Sequence, residues 1–317
     1  MQLKLERMLT VYADGNHNAF TDLCWFKGRP YCTFRHSTNH LSQDGRVLVL
    51  RGTEEGDRWQ VVASIRAAAD TRDPKLMVTP EGLFSYSFVR YPDDGGVRYH
   101  RATGYSFSPD GDSWTPWRFI EGEDIYWRPR WYQNRGYVAA YRVTDWSVIF
   151  KVTSDGRIWE NVSTVAVREG EPRPNETAFE FAPDGTCWAL VRREYPEGHP
   201  LLAKSRPPYT EWSYEELDIK LQGMCLWFVG DQPFLSGRWY QPSGYVNTAV
   251  FRLDGTTPVC QVVLPSGGDT SYMGVAAHPK DPRRYWLSYY SSHEYNPKPN
   301  SHEHPANIYL VDVVFTD

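Results

Sequence analysis

Cysteine is scarce in this chain. The five residues Cys24, Cys32, Cys187, Cys225 and Cys260 are odd in number and follow no metal spacing, which argues against a disulfide framework. Cys24 and Cys32 fall on paired strands of the pattern below and could meet, but buried thiols in a reducing compartment are the plainer expectation. No apolar run approaches the roughly eighteen residues of a membrane span. The segment Met1-Gln2-Leu3-Lys4-Leu5-Glu6-Arg7 is not a signal peptide, so a soluble, cytoplasmic protein is expected unless a leader has been removed. Basic residues are in deficit, 34 Lys and Arg against 39 Asp and Glu for a net charge of −5. Without a basic run there is no electrostatic footprint for nucleic acid or acidic membranes. Sustained helical periodicity is absent as well, whereas aromatics make up 15% of the chain and Gly and Pro number 24 and 23, a composition of short strands and turns.

What is present is a repeat of roughly fifty residues: an apolar strand, a Gly turn and a second strand ending in Arg. The first copy runs from Phe20 through Lys27-Gly28-Arg29 to Arg35. Further copies run from Asp73 to Arg90, Trp127 to Arg142, Glu176 to Arg192, Gly223 to Arg238 and Tyr272 to Tyr290, the last without the terminal Arg. One such unit cannot bury both faces of its sheet alone, so the period predicts an all-β, six-bladed β-propeller of four-stranded antiparallel blades, in a single domain over residues 1–317. A propeller must also close its ring. The strand-like segments Leu3 to Val11 and Ile308 to Phe315 are predicted to share the sixth blade.

Between the hairpins, Thr53 to Trp59, Ser108 to Trp114 and Thr153 to Trp159 share the order Ser/Thr, any residue, acidic, Gly, two of any, Trp. Lys204 to Trp212 is a degenerate fourth copy. The pattern suits a tight turn in which hydroxyl and carboxylate bond backbone N–H groups, Gly takes a positive φ and Trp packs between sheets. These residues are read as building turns at the blade periphery.

The first strands of all blades converge on one mouth, so strand starts and second-strand ends define which residues can meet. The starts supply Asp22, Arg72, Asp73, Trp127, Arg128, Asn175, Glu176, Gly223, Ser271 and Tyr272; the ends supply Arg35, Arg90, Arg142, Arg192 or Arg193, Arg238 and Tyr290. Such a concentration of Arg, carboxylate and aromatic groups is costly to assemble and marks a binding site.

These residues resemble the sialidase (neuraminidase) superfamily of six-bladed propellers with Asp-box turns. The resemblance covers almost the whole chain and rests on three motifs: the turns above, the segment Asn175-Glu176-Thr177 to Val191-Arg192, and the segment Ser271-Tyr272-Met273-Gly274 to Tyr290. It implies an exo-acting glycoside hydrolase in which Tyr272 is the nucleophile, Glu176 its activating partner and Arg192 a substrate carboxylate binder. A phenol suits an anionic anomeric centre that would repel a carboxylate.

The chain also departs from that pattern. Thr21-Asp22 and Gly223-Met224-Cys225 stand where two further carboxylate-binding arginines belong, and His40 stands nearest the place of the acid/base Asp. Histidine is a competent acid and base near neutral pH. Asp73 and Asp22 are the alternative carboxylates. The expected substrate is an oligosaccharide or glycoside of an acidic or deoxy sugar, held by Arg35, Arg192 and Arg238 with Asp22, Arg72 and Arg128 around them, and with no cofactor. A Tyr, His and Arg set could equally run β-elimination on a uronic acid glycan, as a polysaccharide lyase does. A non-catalytic glycan-binding propeller is the third reading. The His- and Glu-rich segment 291–304 fits no zinc motif and reads as a loop whose His293 or Glu294 could reach the mouth.

Overall fold

The computed structural model describes residues 1–92, 99–168, 170, 172–194, 198–296 and 302–316. They form 24 strands and, among the described residues, no helix. After β1 (Gln2–Tyr12) come five antiparallel sheets in sequence order. They are β2 (His17–Phe26), β3 (Arg29–Ser37), β4 (Arg46–Gly52) and β5 (Trp59–Ile65); β6 (Asp70–Val78), β7 (Leu83–Pro92), β8 (Tyr99–Ser108) and β9 (Arg118–Gly122); β10 (Asp124–Tyr132), β11 (Arg135–Arg142), β12 (Ser147–Thr153) and β13 (Glu160–Ala166); β14 (Arg173–Phe181), β15 (Cys187–Glu194), β16 (Leu201–Ser205) and β17 (Ser213–Glu216); and β18 (Leu221–Val229), β19 (Gln232–Tyr240), β20 (Val246–Asp254) and β21 (Thr257–Val263). The sixth sheet joins β22 (Thr270–His278), β23 (Asp281–Ser291) and β24 (Asn307–Thr316) to β1, in the order β1-β24-β23-β22.

All six hairpins of the sequence repeat therefore exist, and the terminal strands close the last blade, with Leu3 opposite Phe315 and Leu9 opposite Leu310. The architecture is a six-bladed β-propeller. Its contacts gather into two units of three blades, Met1–Glu123 with Pro265–Asp317, and Asp124–Leu264.

The first strands of the blades are buried on both faces almost throughout, and the fourth strands are largely half-buried or exposed, so the apolar contacts lie between the inner parts of neighbouring sheets. In the first unit Phe26, Tyr31, Val47, Val49, Ile65, Leu76 and Leu83 pack with Trp114 and Trp117. In the second, a leucine-rich cluster around Leu190, Leu226, Leu235 and Phe251 does the same. The five cysteines are all free, and Cys24 faces Tyr31 across the ladder rather than Cys32.

The turns behave as their chemistry dictates. Ser108 Oγ accepts from Gly111 N at 2.7 Å, Asp110 Oδ1 accepts from Asp112 N and Ser113 N at 2.9 and 2.7 Å, and the Trp114 indole donates to Gly111 O at 2.9 Å. Those backbone donors, Ser113 first, hold the Asp110 carboxyl well below the ordinary range. Thr153, Asp155 and Gly156 repeat the arrangement. Gly111 has φ 90°, and a Cβ there would lie 2.1 Å from the Tyr31 hydroxyl of the neighbouring blade.

One feature of the first strands was invisible in the repeat: each carries a register shift near its start. The shifts fall between Ala19 and Asp22, Arg72 and Lys75, Trp127 and Arg130, Pro174 and Thr177, Gln222 and Cys225, and Ser271 and Gly274. A β-bulge leaves residues outside the ladder and re-aims their side chains. Five bulges place residues at positive φ: Phe20 (64°), Asp73 (54°), Arg128 (49°), Gly223 (57°), and both Ser271 (98°) and Tyr272 (50°). For the five that are not glycine this costs on the order of 1–3 kcal/mol each, a strain typical of functional positions. Gly274 lets β22 lie tightly on β2; a Cβ there would stand 2.4 Å from Leu23 N.

Candidate active site

The first unit brings three bulge residues from three blades into a row. Tyr272 and Phe20 meet edge to face, ring centroids 5.1 Å apart at 81°, and the Thr21 hydroxyl donates to the Tyr272 carbonyl at 2.8 Å. The Arg72 guanidinium lies 5.0 Å from the centre of the Phe20 ring. Arg72 Nε stands 3.4 Å from Asp73 Oδ2, and Nη1 donates to Asp70 Oδ2 at 3.2 Å. Tyr272, Phe20, Arg72 and Asp73 thus form a continuous polar and aromatic band.

Behind Phe20 lies a second cluster, centred on the completely buried Asp269. Its Oδ1 accepts from the Tyr290 phenol at 2.7 Å. Its Oδ2 is approached by His40 Nδ1 at 2.7 Å, His17 Nε2 at 3.1 Å and His302 Nδ1 at 3.3 Å. The His40 and Tyr290 rings both stand edge-on to Phe20, at 5.4 and 5.6 Å. Burial pushes the His40 imidazole down to about 4 against the opposing pull of Asp269, so the ring is neutral at physiological pH.

The remaining sequence candidates take other places. Arg35 is fully buried; its Nε meets Asp70 Oδ1 at 2.7 Å, and its terminal nitrogens donate to Ser37 and to the carbonyls of Asn39 and Ser42 at 3.0 and 2.9 Å. Through these bonds it organises the loop that carries His40. Asp22 Oδ2 accepts from Leu76 N at 2.8 Å and braces two neighbouring blades. In the second unit, Arg192 Nη1 donates to Glu176 Oε2 at 2.5 Å and Nη2 to Glu194, so Glu176 has a cation within its own blade. Arg128 is buried and its Nε donates to Met224 O at 3.0 Å; Arg238 is buried opposite Gln222.

From the segment 291–304, the residue that reaches the first-unit cluster is His302, not His293 or Glu294; residues 297–301 lie outside the described set. His293 stacks 4.9 Å from Tyr309, and Glu294 Oε2 accepts from Asn307 Nδ2 at 2.9 Å, both structural contacts. The sequence placed Tyr290 at the mouth, but Phe20, His17, Asp269 and His302 were not among its candidates. A signal for Asp269 existed: Asp70-Thr71 and Asp269-Thr270 stand three residues before Asp73 and Tyr272, the same offset in two blades.

Comparison with solved structures agrees on the fold. A protein of unknown function from Dyadobacter fermentans is similar over 99% of both chains, at 18% identity and a TM-score of 0.79. The Trypanosoma rangeli sialidase matches 94% of this chain and 55% of its own at 10% identity and 0.69. The Penicillium chrysogenum α-L-arabinanase matches 97% and 99% at 10% identity and 0.69. No family model and no curated protein sequence matches the chain.

Proposed function

We propose that the protein is a glycoside hydrolase acting on a neutral or deoxy sugar, in which the Tyr272 oxygen bonds the anomeric carbon while its phenol proton passes to the Asp73 carboxylate and from there to the departing oxygen; water then releases the sugar and restores the phenol. The row of strained bulge residues Tyr272, Phe20 and Asp73 with Arg72 is the observation that supports it. Backbone strain of this kind persists where a side chain has a task that the relaxed strand would not serve. Neighbours of the same fold act as sialidase and arabinanase, which supports carbohydrate as the substrate class.

The charge balance favours an uncharged sugar. Arg35 and Arg72 meet Asp70 and Asp73, and Arg192 meets Glu176 and Glu194, so three of the arginines that would clamp a sugar carboxylate already face carboxylates of the protein. Bidentate arginine pairing to a substrate would have to break these pairs. The experiment is a panel of aryl glycosides spanning α-L-arabinofuranoside, deoxyhexosides, sialoside and uronides. Release from a neutral or deoxy glycoside, lost in Tyr272→Phe and Asp73→Asn, is expected. Turnover of the sialoside would sink the charge argument. Unsaturated products from acidic polysaccharides would assign the protein to the lyases, and silence across the panel to glycan-binding propellers.

A further inference from the structure

The Asp269 cluster has no part in that reaction. Asp70 and Asp269 occupy equivalent positions, three residues before the positive-φ residues Asp73 and Tyr272; Asp70 opens β6, and Asp269 immediately precedes β22. Asp70 is met by two guanidiniums, those of Arg35 and Arg72. Asp269, equally buried, is met by a phenol and three imidazoles. Burying a carboxylate is tolerated when a cation accompanies it. In one blade guanidiniums meet the carboxylate; in the other the side chains that converge on it are imidazoles and a phenol, groups that also serve as metal ligands and their supports.

The details point the same way. Three imidazole nitrogens converge on one carboxylate oxygen, at 2.7, 3.1 and 3.3 Å. An ionised carboxylate offers about two acceptor sites per oxygen, so three donors exceed what hydrogen bonding alone calls for. The donor atoms of His17, His40 and Asp269 lie within 4.8 Å of one another. Ligands about 2.0–2.2 Å from a shared ion stand roughly 3 Å apart. Asp269 Oδ1 is held by Tyr290, the kind of outer hydrogen bond that orients a ligating carboxylate. Finally, the His17 ring is wholly buried and its Nδ1 meets no partner among the described residues, so Asp269 is what fixes this imidazole.

We propose that His17, His40 and Asp269, with His302 as a fourth donor, bind a divalent first-row transition ion, zinc being the best match. Nitrogen-rich sets of this kind suit zinc and its neighbours and not the oxygen-seeking calcium or magnesium. The ion joins the start of β2, the loop after β3, the start of β22 and the segment before β24, stapling the last blade to the first behind Phe20.

The test uses the full chain, stripped with a chelator and titrated with Zn²⁺ by calorimetry and with Co²⁺ by visible absorption. One equivalent should bind, with a nitrogen-ligand cobalt spectrum and an upward shift of the unfolding midpoint; Ca²⁺ and Mg²⁺ should give neither. His302 is the most exposed of the donors, with its side chain 45% accessible, so His302→Ala keeps the fold and should weaken binding about tenfold or more. His40→Ala should weaken it further, Tyr290→Phe about tenfold, and His304→Ala not at all. Failure of the folded wild-type chain to bind Zn²⁺, or binding unchanged in both His302→Ala and His40→Ala, overturns the proposal. Loss of glycoside turnover in His40→Ala without any zinc binding would return His40 to the proton-transfer role. The metal and the sugar reading stand or fall separately, because binding is read without substrate.

Discussion

Glu176 Oε2 accepts a hydrogen bond from Arg192 Nη1 at 2.5 Å, so the two residues that the sialidase resemblance gives separate tasks are bound to each other. Both are largely buried, and removing one charge leaves the other exposed to the cost of burial. Glu176→Gln should therefore lower stability by about 1–3 kcal/mol, moderated because Glu194 still faces Arg192. Turnover should fall less than about tenfold, which is under 1.4 kcal/mol of transition-state stabilisation. Thermal unfolding alongside steady-state kinetics checks both; a drop of several thousandfold in kcat with an unchanged melting curve would restore Glu176 as the activator of a nucleophile.

Tyr272→Phe removes one oxygen and keeps the ring against Phe20. The expected result is kcat reduced by at least about a thousandfold with KM within a few fold, the signature of an interaction made in the transition state. Equal activity in the Phe variant would remove Tyr272 from the chemistry.

Gly274 bears on the same residue from the backbone side. Its absent side chain lets β22 approach Leu23 N, where a Cβ would stand at 2.4 Å. Gly274→Ala should push β22 off β2, cost about 1–3 kcal/mol by overpacking and lower activity as the Tyr272 bulge shifts. Gly111→Ala makes the control. It combines positive φ with a contact to Tyr31 in a turn between the blade's third and fourth strands, and should cost about 2–4 kcal/mol while leaving the kinetics of the folded fraction unchanged.

Acid sensitivity should show at Asp44. Burial opposes its ionisation, but hydrogen bonds from Ser42 and Thr38 outweigh this and hold the carboxyl at about 2. Its folded pKa is depressed, so its stabilising contribution is complete above about 4, the ordinary range of an Asp, and is lost as pH falls through about 2. After allowance for solvent screening the contribution is about 1 kcal/mol. Asp44→Asn should narrow the stability gap between pH 6 and pH 2 by that amount in denaturant titrations; an unchanged gap would show that the loop hydrogen bonds do not survive in solution.

The blade count, the six hairpins and the closure by Leu3 to Val11 were legible because strand alternation and turn residues are local and repeated. The turn chemistry of Ser108, Asp110 and Gly111 was legible for the same reason. The bulges were not, since an extra residue in one strand leaves the apolar alternation on either side nearly intact. Asp22 was aligned with Tyr272, whereas the ladder puts Phe20 there. Partner choice was the other blind spot. The sequence shows the charges of Arg35 and Arg192 without showing that Asp70 and Glu176 stand against them. His302 lay in a segment without strand pattern, and only the fold brings it to Asp269.

The pairing of β1 with β24 sets an order of events during synthesis. As the chain grows from its N-terminus, β1 has no strand beside it until Asn307–Thr316 has emerged. For most of translation it is an open edge, of the kind that invites pairing with another chain. Tyr272, Asp269 and Tyr290 belong to the blade built last, and His17, Phe20 and His40 wait for them from the start. A chain halted before β22 therefore holds His17, Phe20 and His40 without Asp269, Tyr272 or Tyr290 to meet them.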